Sequence, residues 1–381
     1  MENMDNIFSE NSLAKIARRE NNNKRKYLVV NPYQGKHIPT SGKRALNMFD
    51  ALASKVRDKY SDCSEKILIV GFAETATAIG ARLAVTLNTL YTQTTREPIQ
   101  NVEYLFFTES HSHATEQKLC KNDLESVIDN IDRIIFAEDE ITTGSTILKI
   151  IDIIERLYPN KVKFSAASLL NGMDDQSLLQ YSERNIDVIY LVKTHHEGYT
   201  EIAESYISDG VYHDKMCDAP ENHVNIIDIN KNYVNTRRIC RGNEYLAACD
   251  TLAHNIWECV LNKNKNVRTA VVIGTEEFMY PAIHTTTYLE SLGINAVTHS
   301  TTRSPIEVST NENYPLHARY SLSSLYDGER QTFIYDIGKY DAVIIITDST
   351  DISNVGYNSL INALQKAGSE NIYLFRWCAD E

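Results

Sequence analysis

Short runs of β-branched and aromatic residues alternate with longer amphipathic stretches along the chain, and this alternation limits the folds it can adopt. The strand candidates of the first half are YLVV (27–30), ILIV (67–70), VEYLFF (102–107), RIIFA (133–137), VKFSAASLL (162–170) and DVIYLV (187–192). Helical patterns cover 75–90 and 145–157, the second with Ile147, Ile150, Ile151 and Ile154 on one face. Strands and helices in this order predict an α/β fold with a mainly parallel sheet.

The length predicts two domains. A chain of 381 residues exceeds one ordinary core, and its 43% of hydrophobic residues can fill two. A polar, irregular stretch from about 205 to 235 separates the first half from a second, with strand candidates at 270–274 and 342–347. We expect a polar lead-in at 1–25 and domains at 26–215 and 216–381.

Charge and cysteine content exclude several classes of protein. The net charge of −13 argues against nonspecific nucleic-acid binding, which needs a basic surface. The seven cysteines include no CxxC pair and indicate reduced thiols instead of disulfides or zinc ligands. We expect no secretory signal in the polar first residues and no membrane span, so a cytoplasmic protein is predicted.

The stretch IIFAEDEITTGST at 134–146 contains the strongest functional signal. In open α/β sheets ligands bind beyond the carboxyl ends of the strands, so a strand that stops at Glu138 and Asp139 places carboxylates in that crevice. Carboxylates suit sugar hydroxyls or a magnesium ion. The loop after them, with Gly144 and a helix start near Ser145, suits a phosphate. The sequence therefore predicts a phosphosugar site, and the alternative is a helix cap after an acidic turn.

FAEDEITTGST resembles the phosphoribosyl-pyrophosphate (PRPP) motif of type I phosphoribosyltransferases. More closely, the chain is similar to orotate phosphoribosyltransferase-like proteins of bacterial tellurium-resistance and stress gene clusters, which carry a C-terminal TRSP domain. The matching segments are VNPYQGKHIP, GFAETATAIG, TTREP, HSHATEQ, GTEEFMYPA and TTRSP. The resemblance implies a type I phosphoribosyltransferase-like parallel sheet flanked by helices.

The resemblance assigns roles to the residues that match the motifs. Glu138 and Asp139 would hold the ribose hydroxyls, with Asp139 reaching a magnesium ion only through PRPP. The 5′-phosphate would bind to Thr142, Thr143, Gly144, Ser145 and Thr146, and the pyrophosphate to Gly71, Phe72, Ala73 and Arg96. His111 and His113 fall in the segment of the mobile catalytic lid, where His113 could donate to the leaving pyrophosphate; the alternative is a solvated loop.

Other residues of the first half carry weaker signals. Lys36 and His37 lie in the region that contributes to the hood over the base in orotate-type enzymes. Glu74 is unexpected in a loop for an anion and must turn away, reach the metal or indicate an altered ligand. The adjacent His195 and His196 point to opposite faces of an extended segment, which favours a surface or hood role over a metal site.

The second half repeats the order of motifs in the first. GTEEFMYPAIHTTTY corresponds to GFAETATAIGARLAV, THSTTRSPI to YTQTTREPI, and DAVIIITDSTDISNV to DRIIFAEDEITTGST. The repeat predicts a duplicated α/β domain whose PRPP loop is degenerate, since Thr347 replaces the first acid and the TTG is lost. Glu276, Glu277, Arg303 and Ser304 are candidates for a separate ligand site, and the alternative is a packing turn with a structural arginine.

Two functions follow as expectations. The first is a magnesium-dependent phosphoribosyltransferase that joins ribose 5-phosphate to an unidentified base-like acceptor and releases pyrophosphate, in the synthesis of a nucleoside-like metabolite. The second is a protein that senses PRPP or a nucleotide without turnover, which Glu74 and Glu140 keep open. The partners are then PRPP and the acceptor, with no nucleic acid or membrane. The oligomeric state is open between a homodimer and a chain whose two lobes replace one.

Overall fold

A computed structural model describes residues 8–20, 25–61, 64–108, 116–262 and 266–379. The chain forms two compact units that alternate along the sequence. Unit 1 comprises Met1–Glu10, Asn47–His196 and Val234–Ala247, and unit 2 comprises Asn11–Leu46, Glu197–Tyr233 and Ala248–Glu381. The predicted domain boundaries follow the chain without such alternation and stay a prediction. Among the described residues, no helix is both long enough and apolar enough to cross a membrane.

The helices and strands of the described residues confirm the α/β prediction. The helices are α1 (Glu10–Leu13), α2 (Gly42–Lys59), α3 (Thr77–Leu87), α4 (Lys121–Val127), α5 (Ser145–Leu157), α6 (Asp175–Glu183), α7 (Tyr199–Ser205), α8 (Gly242–Ile256), α9 (Tyr280–Ser291) and α10 (Asn354–Lys366). The first nine strands are β1 (Lys15–Arg18), β2 (Tyr27–Val30), β3 (Ile67–Gly71), β4 (Leu90–Gln93), β5 (Tyr104–Thr108), β6 (Glu116–Cys120), β7 (Arg133–Ile141), β8 (Lys163–Asn171) and β9 (Asp187–Lys193). The others are β10 (Val211–His213), β11 (Ile226–Ile229), β12 (Cys240–Arg241), β13 (Thr269–Gly274), β14 (Asn295–Ser300), β15 (Ala318–Ser323), β16 (Gln331–Tyr335), β17 (Ala342–Thr347) and β18 (Ile372–Trp377).

Unit 1 is built on a sheet of strand order β12-β4-β3-β7-β8-β9. β4, β3, β7, β8 and β9 are parallel, and β12 pairs antiparallel with β4 at the edge. β5 and β6 form a separate antiparallel hairpin. α5 buries Ile147, Ile150, Ile151 and Ile154, as the sequence pattern predicts. The carboxyl ends of β3, β4, β7, β8 and β9 therefore meet at one edge of the sheet.

Unit 2 contains a second parallel sheet, of strand order β11-β18-β17-β13-β14. β17 is buried at every position, which explains why it reads as a continuous apolar run instead of an alternating one. β15 and β16 form an antiparallel hairpin, and β10 extends it as a third strand. β1 and β2 form a separate antiparallel pair, so YLVV is a strand outside both parallel sheets.

The two sheets share a topology, which confirms the repeat predicted from the sequence. The order β4-β3-β7-β8 in unit 1 matches β14-β13-β17-β18 in unit 2, strand for strand and all parallel. In each unit an antiparallel hairpin comes at the same point of the sequence. β5–β6 lies between β4 and β7, and β15–β16 lies between β14 and β17. Unit 2 is therefore a duplicated α/β domain.

Candidate active site

The acidic residues of the stretch IIFAEDEITTGST lie inside β7, and not after its end as the sequence predicts. β7 continues to Ile141 because it pairs with β8 through Glu138–Ser168, Glu140–Leu170 and Ile141–Asn171. Successive residues of a strand face opposite sides, so Asp139 points away from the side that Glu138 and Glu140 share. The two acids predicted to hold one ribose therefore extend from different faces of the strand end.

The loop after β7 gives α5 the form of an anion site. Gly144 has a φ of +71° and is the residue before the helix, so the first turn presents its peptide N–H groups beyond the sheet edge. The Oγ1 of Thr143 lies 3.0 Å from the Oγ of Ser145. Tyr181 stabilises the turn, since its hydroxyl donates to the Gly144 carbonyl at 2.7 Å. Burial raises the pKa of this phenol, with a smaller contribution from Glu138, so it remains a donor.

The predicted pyrophosphate loop follows β3. Phe72 is buried between Phe107 and Phe136, so of this residue only the backbone is offered to a ligand. The peptide between Ala73 and Glu74 is cis, and Glu74 is 9% exposed. The pyrophosphate role of this loop stays a prediction, and the Glu74 carboxylate in it is buried.

The TTREP segment is bonded to that loop and to the hairpin. Thr94 donates its N–H to the Gly71 carbonyl at 2.9 Å, and its Oγ1 accepts from the Ala73 N–H at 2.8 Å. Thr95 exchanges two backbone hydrogen bonds with Lys118 of β6, at 2.8 and 3.0 Å. Arg96, which follows directly, is half-buried. The arrangement brings the predicted pyrophosphate residues Gly71, Ala73 and Arg96 to neighbouring strand ends.

Two buried side chains that the sequence does not single out hold this arrangement. Gln117 of β6 accepts from the Thr94 hydroxyl at 2.8 Å and donates to the Ala73 carbonyl. Arg237, 6% exposed, donates from Nε to the Thr95 hydroxyl at 3.2 Å. Arg237 belongs to Val234–Ala247, which we call the return segment because it belongs to unit 1 although unit 2 residues precede and follow it. Its sequence signal is the Arg237-Arg238 pair after a polar stretch.

Arg238 anchors the return segment to α4. Its guanidinium donates to both carboxylate oxygens of Asp123 at 2.6 to 2.9 Å, and the Ile239 N–H donates to the same group at 2.8 Å. Burial alone would raise the pKa of Asp123, but these hydrogen bonds and the positive charge hold it below its ordinary value. β12 then pairs with β4.

The side chains of His195 and His196 point in opposite directions, as the extended segment predicts. His195 is 74% exposed and bonds to Glu10 through its N–H at 2.7 Å and Nδ1 at 3.1 Å. His196 turns inward, with Nε2 3.2 Å from Glu140 Oε1. Within the described ranges, no group of three or more His, Cys, Asp or Glu side chains could hold a metal ion. His111 and His113 lie outside the described residues.

The equivalent segment of unit 2 repeats the hydrogen bonds of TTREP. Thr301 donates its N–H to the Gly274 carbonyl at 3.1 Å, and its Oγ1 accepts from the Glu276 N–H at 3.1 Å. Thr302 exchanges backbone hydrogen bonds with Phe333 at 2.9 and 2.7 Å. The repeat therefore extends to single bonds, and Glu276 lies where unit 1 has Ala73.

Glu276, one of the candidates for a separate ligand site in unit 2, lies in a buried cluster of charged side chains. It is 1% exposed and accepts from Arg303, from Arg330 at 3.1 Å and from the Ser324 hydroxyl. The structure thus brings Glu276 and Arg303 together, which favours the structural alternative over an anion site for this arginine. Glu277 is also buried.

Ser304 and Lys36 lie in the same unit. The Ser304 N–H donates to the Thr302 hydroxyl at 3.1 Å. Lys36 is fully buried and donates to the carbonyls of Glu276 at 3.3 Å and Thr301 at 3.5 Å. His37, predicted with Lys36 to contribute to a hood, is buried in unit 2 as well.

In unit 2, other residues of the same unit fill the position that corresponds to the PRPP loop. Asp348, the retained acid, accepts from the hydroxyls of Tyr326 at 2.6 Å and Tyr233 at 3.2 Å. A Cβ on Gly356, in the first turn of α10, would lie 2.0 Å from the carbonyl oxygen of Ser324. The hairpin thus lies against the helix terminus that would bind the phosphate.

Comparisons with known proteins agree with this fold. A family model described as phosphoribosyl transferase matches residues 13–195, and a model of the TRSP domain found C-terminal to it matches residues 244–364. No curated protein matches the chain.

Solved structures of adenine phosphoribosyltransferases are similar over part of the chain. That of Trypanosoma brucei, in complex with AMP, pyrophosphate and ribose-5-phosphate, is 15% identical with a TM-score of 0.35, over 48% of this chain and 76% of that one. That of Giardia lamblia, complexed with 9-deazaadenine, is 17% identical with a TM-score of 0.30, over 39% and 80%. The two family matches together take in most of the sequence, and the chain therefore belongs to the family of phosphoribosyl transferase proteins with a C-terminal TRSP domain.

Proposed function

We propose that the chain transfers ribose 5-phosphate from PRPP to a base-like acceptor and releases pyrophosphate, in the synthesis of a nucleoside-like metabolite in the cytoplasm. The observation that supports it is the meeting of three elements at one sheet edge: the acids of β7, the Gly144 turn into α5, and the Gly71 loop bonded to the segment of Arg96. Each suits one part of PRPP, namely the ribose hydroxyls, the 5′-phosphate and the pyrophosphate.

The chemistry asks these residues mainly to position and to stabilise. A bond forms between C1′ and the acceptor while the C1′–oxygen bond to pyrophosphate breaks, and pyrophosphate leaves with the electron pair. Positive charge develops on the sugar, as in glycoside cleavage. Glu138 and Asp139 would hold the ribose still, and Arg96 with the backbone N–H groups of the Gly71 loop would stabilise the leaving anion.

Magnesium fits this site only as an ion that arrives with its substrate. The described residues contain no group of three or more His, Cys, Asp or Glu side chains that could hold a metal. The phosphate oxygens of PRPP are themselves the hard oxygen ligands that Mg²⁺ prefers, and Glu138 and Asp139 would hold the ribose to which they are attached. When bound, Mg²⁺ would neutralise charge on the pyrophosphate. Asp139 would contact it indirectly, through PRPP.

Isotope exchange tests the proposal. The full chain is incubated with PRPP, Mg²⁺, labelled pyrophosphate and one base at a time, and the label enters PRPP only if a nucleotide forms and reverts. Transfer predicts label in PRPP with at least one base, and none with the Glu138→Gln/Asp139→Asn variant. PRPP binding by calorimetry without exchange, over a broad panel of bases, would instead support the sensor, which the buried Glu74 in the pyrophosphate loop favours. Absence of both binding and exchange would exclude both functions.

A further inference from the structure

A carboxylate and an imidazole meet at the carboxyl ends of β7 and β9. Glu140 is the next-to-last residue of β7, and His196 follows β9 by three positions. Their side chains are 13% and 18% exposed, with 3.2 Å between Oε1 and Nε2. The Thr194 hydroxyl lies 3.0 Å from the same nitrogen. The pair is therefore held in a fixed place and retains access to solvent.

Gly172 makes room for the imidazole. It follows β8, and its N–H donates to the Ile141 carbonyl at 2.8 Å. A Cβ at this position would lie 2.1 Å from Cε1 and 2.2 Å from Nε2 of His196. Any larger residue would displace the ring, so the glycine, the imidazole and the carboxylate form one arrangement across three strand ends.

The strand order places this arrangement on the side of the acceptor. The loops that follow β3 and β4 carry the proposed pyrophosphate residues, and the end of β7 carries those for the ribose. An acceptor must approach C1′ from the face opposite the leaving group. Pyrophosphate over β3 and β4 therefore leaves the ends of β8 and β9 for the acceptor, and Glu140 and His196 lie there.

The charges at these strand ends discriminate between classes of acceptor. Glu140 adds a third carboxylate next to Glu138 and Asp139. The ammonium of Lys193 on β9 donates to the carbonyls of Asn171 at 3.3 Å and Met173 at 2.6 Å. A carboxylated base would meet the Glu140 charge at close range, whereas an N–H group would find an acceptor in it.

We propose that Glu140 and His196 receive the acceptor, and that this acceptor is a neutral heterocycle with an N–H group instead of a carboxylated base. The inference rests on the proposed function. The N–H nitrogen forms the bond to C1′, its proton passes to the Glu140–His196 pair, and pyrophosphate leaves with the electrons of the C1′–oxygen bond.

Exchange with two classes of base tests the inference. The neutral probes are adenine, hypoxanthine and uracil, and the carboxylated probes are orotate and nicotinate. The expected result is exchange with at least one neutral base and with neither carboxylated one. Exchange with orotate or nicotinate would overturn the inference and leave the proposed function standing. If PRPP binds but none of the five bases supports exchange, the inference is also overturned. If PRPP does not bind either, the proposed function is wrong as well.

Variants separate a role in the reaction from a role in folding. Glu140→Gln keeps the volume and should lower kcat with the accepted base by roughly 100-fold or more, the usual contribution of a positioned base, without changing PRPP affinity. Gly172→Ala should lower kcat as well because it displaces the ring. Gly338→Ala is the control, since a Cβ there meets no atom within 4 Å. An unchanged kcat in Glu140→Gln, or a loss of PRPP affinity equal to the loss of kcat in folded protein, would contradict the inference.

Discussion

Glu138 and Asp139 are neighbours that face opposite sides of β7, so each can meet a different part of one ligand. The double variant Glu138→Gln/Asp139→Asn removes both charges and keeps the volume. PRPP affinity should fall by about 1.5–3 kcal/mol for each charged hydrogen bond lost. Calorimetric titration with PRPP measures this.

The control for that variant is Asp175→Asn/Glu183→Gln, which makes the same two changes at exposed positions of α6. It should bind PRPP as the wild type does. If both double variants bind PRPP equally well, the assignment of the ribose site is wrong.

Gly144 has a structural duty in addition to its place in the phosphate loop. Its φ is +71°, and an added Cβ would lie 2.4 Å from the hydroxyl oxygen of Tyr181. Gly144→Ala should therefore lower the free energy of unfolding by about 1–3 kcal/mol and weaken PRPP binding. Urea denaturation and PRPP titration measure the two effects.

Tyr181→Phe is the companion variant, because it removes the hydrogen bond to the Gly144 carbonyl and keeps the ring. It should cost about 0.5–1.5 kcal/mol of stability. A Gly144→Ala protein with wild-type stability would mean that the turn has another conformation. Gly144→Val is a less informative variant. Weak PRPP binding in it could come either from a blocked phosphate site or from displacement of Tyr181.

At the scale of elements, the equivalent loops of the two sheets end in arginines with different tasks. Arg96 is half-buried beside the proposed pyrophosphate loop, and Arg303 compensates the buried Glu276. Arg96→Ala should lower PRPP affinity roughly ten- to a hundredfold, since a charge-assisted bond to an anion is lost. Arg303→Ala should keep PRPP affinity and lower the free energy of unfolding by less than the about 3–5 kcal/mol that a fully broken buried pair costs, because Arg330 still contacts Glu276.

PRPP titrations and denaturation curves of both variants distinguish these outcomes. Adding Glu276→Gln to Arg303→Ala should restore part of the stability because the buried carboxylate that has lost one of its two arginines is then neutral. Equal loss of PRPP affinity in folded Arg96→Ala and Arg303→Ala proteins would show that both arginines serve one site.

Most parallel strands are readable from the sequence because apolar β-branched runs belong to strands buried on both faces. The run at 342–347 is β17 without a change of boundary, and 187–192 is β9 less one residue. The end of β7 is misread because charged residues have low strand propensity, while pairing with β8 keeps them extended. β4 (LYTQ) and β12 (CR) are too short and polar to be distinguished from loop.

The candidate site divides in the same way. Its backbone parts, Gly71 and the Gly144 turn, have a local sequence signal. The buried ion cluster of Glu276 and the contact of His196 with Gly172 depend on residues far apart in the sequence, so only the fold brings them together.

The return segment links whole-molecule stability to pH. A carboxyl whose pKa is lowered on folding stabilises the protein above its unfolded value and loses that effect as the pH falls through the folded value. Burial raises the pKa of Asp123, but the hydrogen bonds and the positive charge of Arg238 lower it below its ordinary value of 3.8. The stability difference between wild type and Arg238→Ala should therefore be full at neutral pH and shrink below pH 3.8. Denaturation from neutral pH to pH 3 measures it, and a difference that grows with acid would contradict the assignment.

The alternation of the units along the chain predicts the behaviour of fragments. Residues 26–215 would lack the return segment and with it β12 and the partner of Asp123, and would carry segments that belong to unit 2. This fragment should show no cooperative thermal transition, whereas the full chain should. Circular dichroism melts of both test this, and a fragment that melts cooperatively at the temperature of the full chain would show that the return segment is dispensable.

The return segment also bears on how such a gene can change over generations. A premature stop between the codons for residues 215 and 234 would remove not only the degenerate copy but also the edge strand and the buried Arg237 of the copy that keeps the acids. Natural selection on the first copy therefore protects the reading frame as far as residue 247, even if the second copy has no ligand of its own. The start of a duplicate that has lost its motif can in this way persist as a part of the copy that has kept it.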